Sequence, residues 1–182
     1  MTKHIMVGYA TWSGTTHEVA TAIGKQLESH GYEIDVIDLK QKLSSKGKEY
    51  DAYIIGTSIH ASKPTGAFLR FVRNNHEILS SKPTAFFVVC ANMYEDTPEN
   101  RSETSDWLND ALKDIPTIPL LDTGLFGGAV ITTGDDFEKL NFLVKFIIRS
   151  MQKSIREKMD REDFRDWEKI RSWADEIALK IK

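Results

Sequence analysis

The stretch Thr84–Cys90, TAFFVVC, is apolar almost throughout. Such a run suits a strand covered on both faces at the centre of a parallel sheet. Four other short apolar stretches resemble it: Ile5–Tyr9, Glu33–Leu39, Tyr53–Gly56 and Leu120–Thr132, the last broken by Gly124, Gly127 and Gly128. Glu33–Leu39 alternates Ile34, Val36 and Ile37 with charges, the pattern of a half-exposed edge strand. Between the runs lie segments of helical period. Thr16–His30 repeats Val19, Ala20, Ile23 and Leu27 at three- and four-residue spacing and stops at Gly31. Thr65–Leu79 carries Phe68, Leu69, Val72 and Leu79, and Ser102–Lys113 follows; Asp136 to about Met159 and Trp167–Ile181 close the chain. Alternating strands and helices predict an α/β fold, a parallel sheet with right-handed crossovers and helices on both faces.

With 182 residues, 41% of them apolar, the chain can bury one substantial core without metals or disulfides. No repeat, low-complexity stretch or linker divides it, so one domain over 1–182 is expected. The net charge of −3 leaves no basic excess for nucleic acid. Cys90 is the single cysteine, and the five histidines, His4, His17, His30, His60 and His76, lack metal-ligand spacing. The N-terminal apolar run is too short for a signal peptide, and no stretch reaches the roughly 20 apolar residues needed to span a bilayer. A cytoplasmic protein is expected.

In open parallel sheets ligands sit at the carboxyl ends of the strands, where strand order reverses. Three segments follow strand ends and should build the site: Ala10–Thr16, Thr57–Gly66 and Ala91–Pro98. The first has four hydroxyls, one glycine and no Lys or Arg, and it leads into a helix whose first N–H groups favour an anion. A triphosphate loop needs a lysine and a dinucleotide fingerprint needs three glycines at set spacing; neither is present. Hydroxyls and backbone N–H groups alone suit a terminal monophosphate. The plain alternative is that Ser13, Thr15 and Thr16 only cap the helix.

Thr11-Trp12-Ser13-Gly14-Thr15-Thr16 resembles the phosphate loop of the flavodoxin-like family, Thr/Ser-x-Ser/Thr-Gly-x-Thr. Gly56-Thr57-Ser58-Ile59-His60 and Cys90-Ala91-Asn92-Met93-Tyr94 fall where that family lines its flavin, so the likeness covers nearly the whole chain. Within the family the protoporphyrinogen dehydrogenase branch is similar at Ile55–Ile59, Phe68–Val72, Leu125–Ala129, Asp166–Glu168 and Trp173-Ala174. The resemblance implies a three-layer sandwich with a five-stranded parallel sheet of order 2-1-3-4-5, and FMN as cofactor. It puts the phosphate on Thr11, Ser13, Gly14, Thr15 and Thr16, Trp12 over the ribityl chain, and the ring between Ser58, Ile59, His60 on one side and Ala91, Asn92, Met93, Tyr94 on the other.

Tyr94 is the stacking candidate, because a loop tyrosine offers an apolar face. His60 stands where many flavodoxins carry an aromatic; an imidazole there can donate a hydrogen bond to reduced flavin or substrate, or simply face solvent. Cys90 reads as a buried, inert thiol. Along 142–159, Lys145, Arg149, Lys153 and Arg156 share one helical face and Val144, Ile147, Ile148, Met151 and Ile155 another. That pattern fits a solvated basic face or a peripheral contact with an anionic membrane at its inner face. Two functions stand: an FMN oxidoreductase passing electrons from a reduced organic substrate to a quinone or other acceptor, and an electron carrier between redox proteins. Oligomeric state is open.

Overall fold

The structure, a computed structural model, describes residues 2–41, 49–129 and 162–182, together with 138, 142, 143, 145, 146, 149, 150 and 153. Its elements run β1 (His4–Ala10), α1 (Thr15–Ser29), β2 (Glu33–Asp38), β3 (Ala52–His60), β4 (Lys63–Pro64), α2 (Gly66–Asn74), α3 (His76–Ser81), β5 (Thr84–Cys90), a single 3-10 turn (Ala91–Tyr94), α4 (Pro98–Leu112), β6 (Leu120–Gly127) and α5 (Trp167–Ile181). The parallel sheet has the order β2-β1-β3-β5-β6, and β4 pairs antiparallel with β3. Counting only the parallel strands, this is the expected order 2-1-3-4-5; the two-residue β4 is the addition.

β5 is buried at every position, as its sequence requires. Phe86, Val88 and Cys90 face the core under α2, α3 and α4, while Ala85, Phe87 and Val89 face the core under α1 and α5. Burying an aromatic such as Phe86 or Phe87 on either face is worth about 1.5–3 kcal/mol. β2 is nowhere fully buried, as an edge strand should be. These two cores make the outer helices and the sheet three layers.

Three elements differ from their sequence reading. The helix expected over Ser102–Lys113 begins at Pro98, where the Thr97 side chain caps it. The helix expected over Thr65–Leu79 breaks at Asn75 (φ −122°, ψ 15°) into α2 and α3. The third strand extends past Gly56 to His60, because Thr57 and Ser58 are buried ladder residues paired with Val88 and Val89 rather than loop hydroxyls. The helix expected over 136–159 lies mostly outside the described residues, as does the end of the strand expected to reach Thr132.

Candidate functional site: a phosphate loop joined to a flavin cleft

Register brings the strand ends level. Ala10 pairs with Thr57, and Thr57 with Val88, so the chain leaves β1, β3 and β5 side by side at one rim of the sheet. The cleft at that rim is lined by Trp12, Ser13, Thr15, Ser58, Ile59, His60, Val89, Cys90, Ala91, Gly128, Ala129 and Phe164.

The first loop is built to leave donors free. Gly14 sits at the start of α1 with φ 92°, a left-handed conformation that glycine adopts without steric cost. The Thr11 hydroxyl accepts from the Gly14 N–H at 2.9 Å and so closes the loop. No side chain caps α1, which disfavours the plain capping alternative. The helix provides no partner for its own first N–H groups, at Thr15 and Thr16. The Thr16 hydroxyl is fully buried and has no partner either. A buried hydroxyl beside unpaired N–H groups is costly unless an acceptor arrives.

The second wall is a hairpin. His60 pairs with Lys63 across Ala61 (φ 47°) and Ser62 (φ 60°). Two left-handed residues make a tight turn that Asn-Gly would fill without strain, and holding Ala and Ser there costs of order 1 kcal/mol each. Thr57 anchors the hairpin from below, its hydroxyl accepting from the Thr65 N–H at 3.0 Å while Thr65 caps α2. The turn delivers the His60 ring to the Trp12 indole, with centroids 4.3 Å apart and planes at 17°. The Ser58 hydroxyl lines the cleft, buried and without a partner.

The third wall departs from the sequence reading. After Cys90 the chain winds into a 3-10 turn that takes Asn92, Met93 and Tyr94 away from the cleft lining. The Asn92 amide donates to the Asn100 carbonyl (3.3 Å) and to Glu103 and Thr104 (both 3.2 Å) on α4. Met93 is buried, and Met93 and Tyr94 line a neighbouring hollow with Glu95, Asp96, Asp166 and Lys169. Ala91 alone of the four faces the cleft. The aromatic on this side of the cleft is Phe164, with Tyr94 edge-on behind it at 6.3 Å.

Phe164 arrives on a strap, 162–166, that returns to the sheet before α5. The strap pairs with the chain leaving β6: the Phe164 N–H donates to the Gly128 carbonyl at 3.0 Å, and Ala129 bridges Asp163. A Cβ on Gly127 would stand 2.1 Å from the Phe164 carbonyl oxygen, so only glycine admits this approach. Arg165, its side chain 7% exposed, pairs with Glu18 of α1 and Asp163 of the strap, both at 2.7 Å, and lies 4.6 Å over the Trp167 ring. Sequence reasoning missed Phe164; the adjacent glycines 127 and 128 were its signal. Cys90 closes β5 in the cleft floor, and burial pushes its thiol pKa up, consistent with an unreactive group.

A parallel sheet with reversed strand order, an uncapped hydroxyl loop after its first strand and an apolar cleft beside that loop are the features of a doubly wound α/β protein with its ligand site at the point where strand order reverses. The chain belongs to the flavodoxin family: the family model described as "Flavodoxin domain" matches residues 6–162. It is 26% identical over 177 residues to protoporphyrinogen IX dehydrogenase [quinone] of Escherichia coli K12, covering 95% of this chain and 93% of that protein. The Leishmania major protein of the same name is 26% identical over 174 residues, 93% of this chain and 72% of that one. Among solved structures, oxidised flavodoxin 2 from Bacillus cereus shares the fold with a TM-score of 0.56, at 17% identity over 98% of this chain and 99% of that one.

The cofactor of this family is FMN. The residues present fit it at both ends. The orphaned Thr16 hydroxyl suits a phosphate oxygen, and the orphaned Ser58 hydroxyl suits a polar edge of the ring or ribityl chain.

Proposed function

We propose that the chain, 1–182, works as one FMN-binding domain and is an oxidoreductase passing electrons from a reduced organic substrate to a quinone. The observation that carries this reading is the alignment with the quinone-linked dehydrogenase of E. coli, which spans 95% of this chain and so takes in the strap and α5. Thr11, Ser13, Gly14, Thr15 and Thr16 hold the phosphate, and Trp12, stacked on His60, shields the cofactor between its two ends. Ser58, Ile59, His60 and Ala91 face the ring, and Phe164 takes the place first given to Tyr94. FMN, when bound, accepts two electrons from an organic donor and can release them singly or together.

The protein's own part is to orient and to exclude water. Trp12, Ile59 and Phe164 present apolar surface; His60, half-exposed at the cleft edge, is the candidate to donate a hydrogen bond to substrate or ring. Its backing by Trp12 fixes the imidazole plane for that role. A lipophilic acceptor also suits the exposed Phe142, Leu143 and Phe146, which lie among Lys145, Arg149 and Lys153 in a segment proposed to touch an anionic membrane surface. Among the described residues no helix is long and apolar enough to cross a membrane.

The test is an anaerobic assay with protoporphyrinogen IX and a menaquinone analogue. The dehydrogenase reading expects porphyrin formation and quinone reduction in step. Protein that takes up FMN and exchanges electrons only with a redox protein is a carrier instead.

A further inference from the structure

The phosphate loop contains no Lys or Arg, yet the structure brings a cation to it from another strand. Lys40 follows β2, 29 residues beyond Thr11, and its ammonium donates to the Thr11 carbonyl oxygen. The position is fixed by backbone bonds on both sides. The Leu39 N–H donates to the Tyr9 carbonyl at 2.8 Å, the Lys40 N–H to the Asp38 carboxylate at 2.9 Å, and the Gln41 N–H to the Asp38 carbonyl at 3.1 Å. Leu39 itself is buried under the sheet. Among the described residues no carboxylate is ion-paired with the Lys40 ammonium. The loop it touches carries the uncapped start of α1 and the orphaned, buried Thr16 hydroxyl.

We infer that Lys40 supplies the positive charge that the loop's own sequence lacks, holding the dianionic phosphate of FMN by Coulomb attraction while its hydrogen bond sets the Thr11 carbonyl. The inference rests on the phosphate-loop reading. Its physics is distinct from that of the hydroxyls. A hydrogen bond between loop and phosphate is lost by deleting a donor at any salt concentration, whereas attraction from an exposed ammonium is screened within a Debye length of about 10 Å at 0.1 M salt.

The experiment titrates flavin-free wild type, Lys40→Gln and Lys40→Arg with FMN and, separately, with riboflavin, at low and high ionic strength. At low salt Lys40→Gln loses about ten-fold in FMN affinity, as one unit charge at the rim of a partly solvated site implies. The loss shrinks at high salt, Lys40→Arg keeps most of the affinity, and riboflavin binding is the same in all three proteins. An FMN affinity unchanged in Lys40→Gln, or lowered equally at all salt concentrations, overturns the charge role. A wild type that prefers FMN over riboflavin while Lys40→Gln matches it discards Lys40 alone. A wild type that binds the two flavins equally discards the phosphate loop with it.

Discussion

The two ends of the cleft are built in opposite ways. The phosphate end comes from six consecutive residues, Thr11–Thr16, whose shape follows from one glycine at φ 92° and one hydrogen bond from Gly14 to Thr11. The ring end is assembled from the hairpin at His60, the rim of β5 at Ala91, and Phe164 on a strap that enters the sheet only after β6. Local sequence builds a charge-binding device; tertiary packing builds the apolar one. The ends are nevertheless linked, since Arg165 of the strap pairs with Glu18 in the first turn of the helix that begins at the phosphate loop.

If that contrast holds, injuries to the ring end should cost fold as well as ligand, and injuries to the phosphate end should cost ligand only. The largest effect is expected from Phe164→Ala. The ring is buried between the cleft and Tyr94, and removing it should destabilise the flavin-free protein by about 3 kcal/mol. Riboflavin affinity should fall with it. Urea unfolding measures the first and flavin fluorescence the second; a variant as stable as wild type would mean that the strap is not part of the folded wall.

Ser13→Ala with Thr15→Ala tests the other end. Each hydroxyl bonded to an ionised phosphate is worth about 1.5 kcal/mol, so the pair should weaken FMN binding about a hundred-fold. Riboflavin affinity and the urea midpoint should not move. Equal losses for both flavins would show that the loop acts on the ring and would erase the distinction between the ends. A smaller effect is expected from Trp12→Ala, which crosses the divide because the loop residue stacks on the hairpin's His60. Losing an aromatic contact of about 1 kcal/mol should lower the affinities for FMN and riboflavin by the same five- to ten-fold factor. If only FMN suffered, Trp12 would belong to the phosphate end after all.

The same contrast explains what could be read before the structure. The order of the parallel strands, the central burial of Thr84–Cys90 and the phosphate loop were legible because each rests on a local period or a local turn. The sequence pattern ends β3 at Gly56 because Thr57 and Ser58 carry hydroxyls, which resemble a loop until the register with Val88 and Val89 is known. The sequence points to Tyr94 for the ring because a tyrosine after a strand reads as a loop aromatic; the 3-10 turn that carries it off has no sequence period. Phe164 and Lys40 were invisible for a single reason. Phe164 reaches the site from the strap before α5 and Lys40 from the end of β2, and no spacing within the chain encodes either approach. The adjacent glycines 127 and 128 offered the one hint, for Phe164, since glycine in or beside a strand often marks a close backbone approach.

The smallest effect concerns the ion pairs that fasten the strap. Burial alone would raise the Asp163 pKa, but hydrogen bonds from the Arg165 side chain and backbone N–H outweigh it and hold the carboxyl below the usual range. A depressed folded-state pKa adds stability above the unfolded value of about 3.9 and loses it as pH falls through that value toward the folded one. Asp163 is half-exposed, its side chain at 48%, so solvent screening limits the contribution to about 0.5 kcal/mol. Asp163→Asn should therefore cost little at pH 7 and flatten the decline in stability below pH 4, measured by urea unfolding of the flavin-free protein across that range. The consequence for the comparison lies in the ligand. If the strap is what joins the ends, the variant should lose riboflavin affinity slightly at neutral pH while its preference for FMN over riboflavin stays fixed; a changed preference would place the Arg165 bridge in the phosphate end rather than between the two.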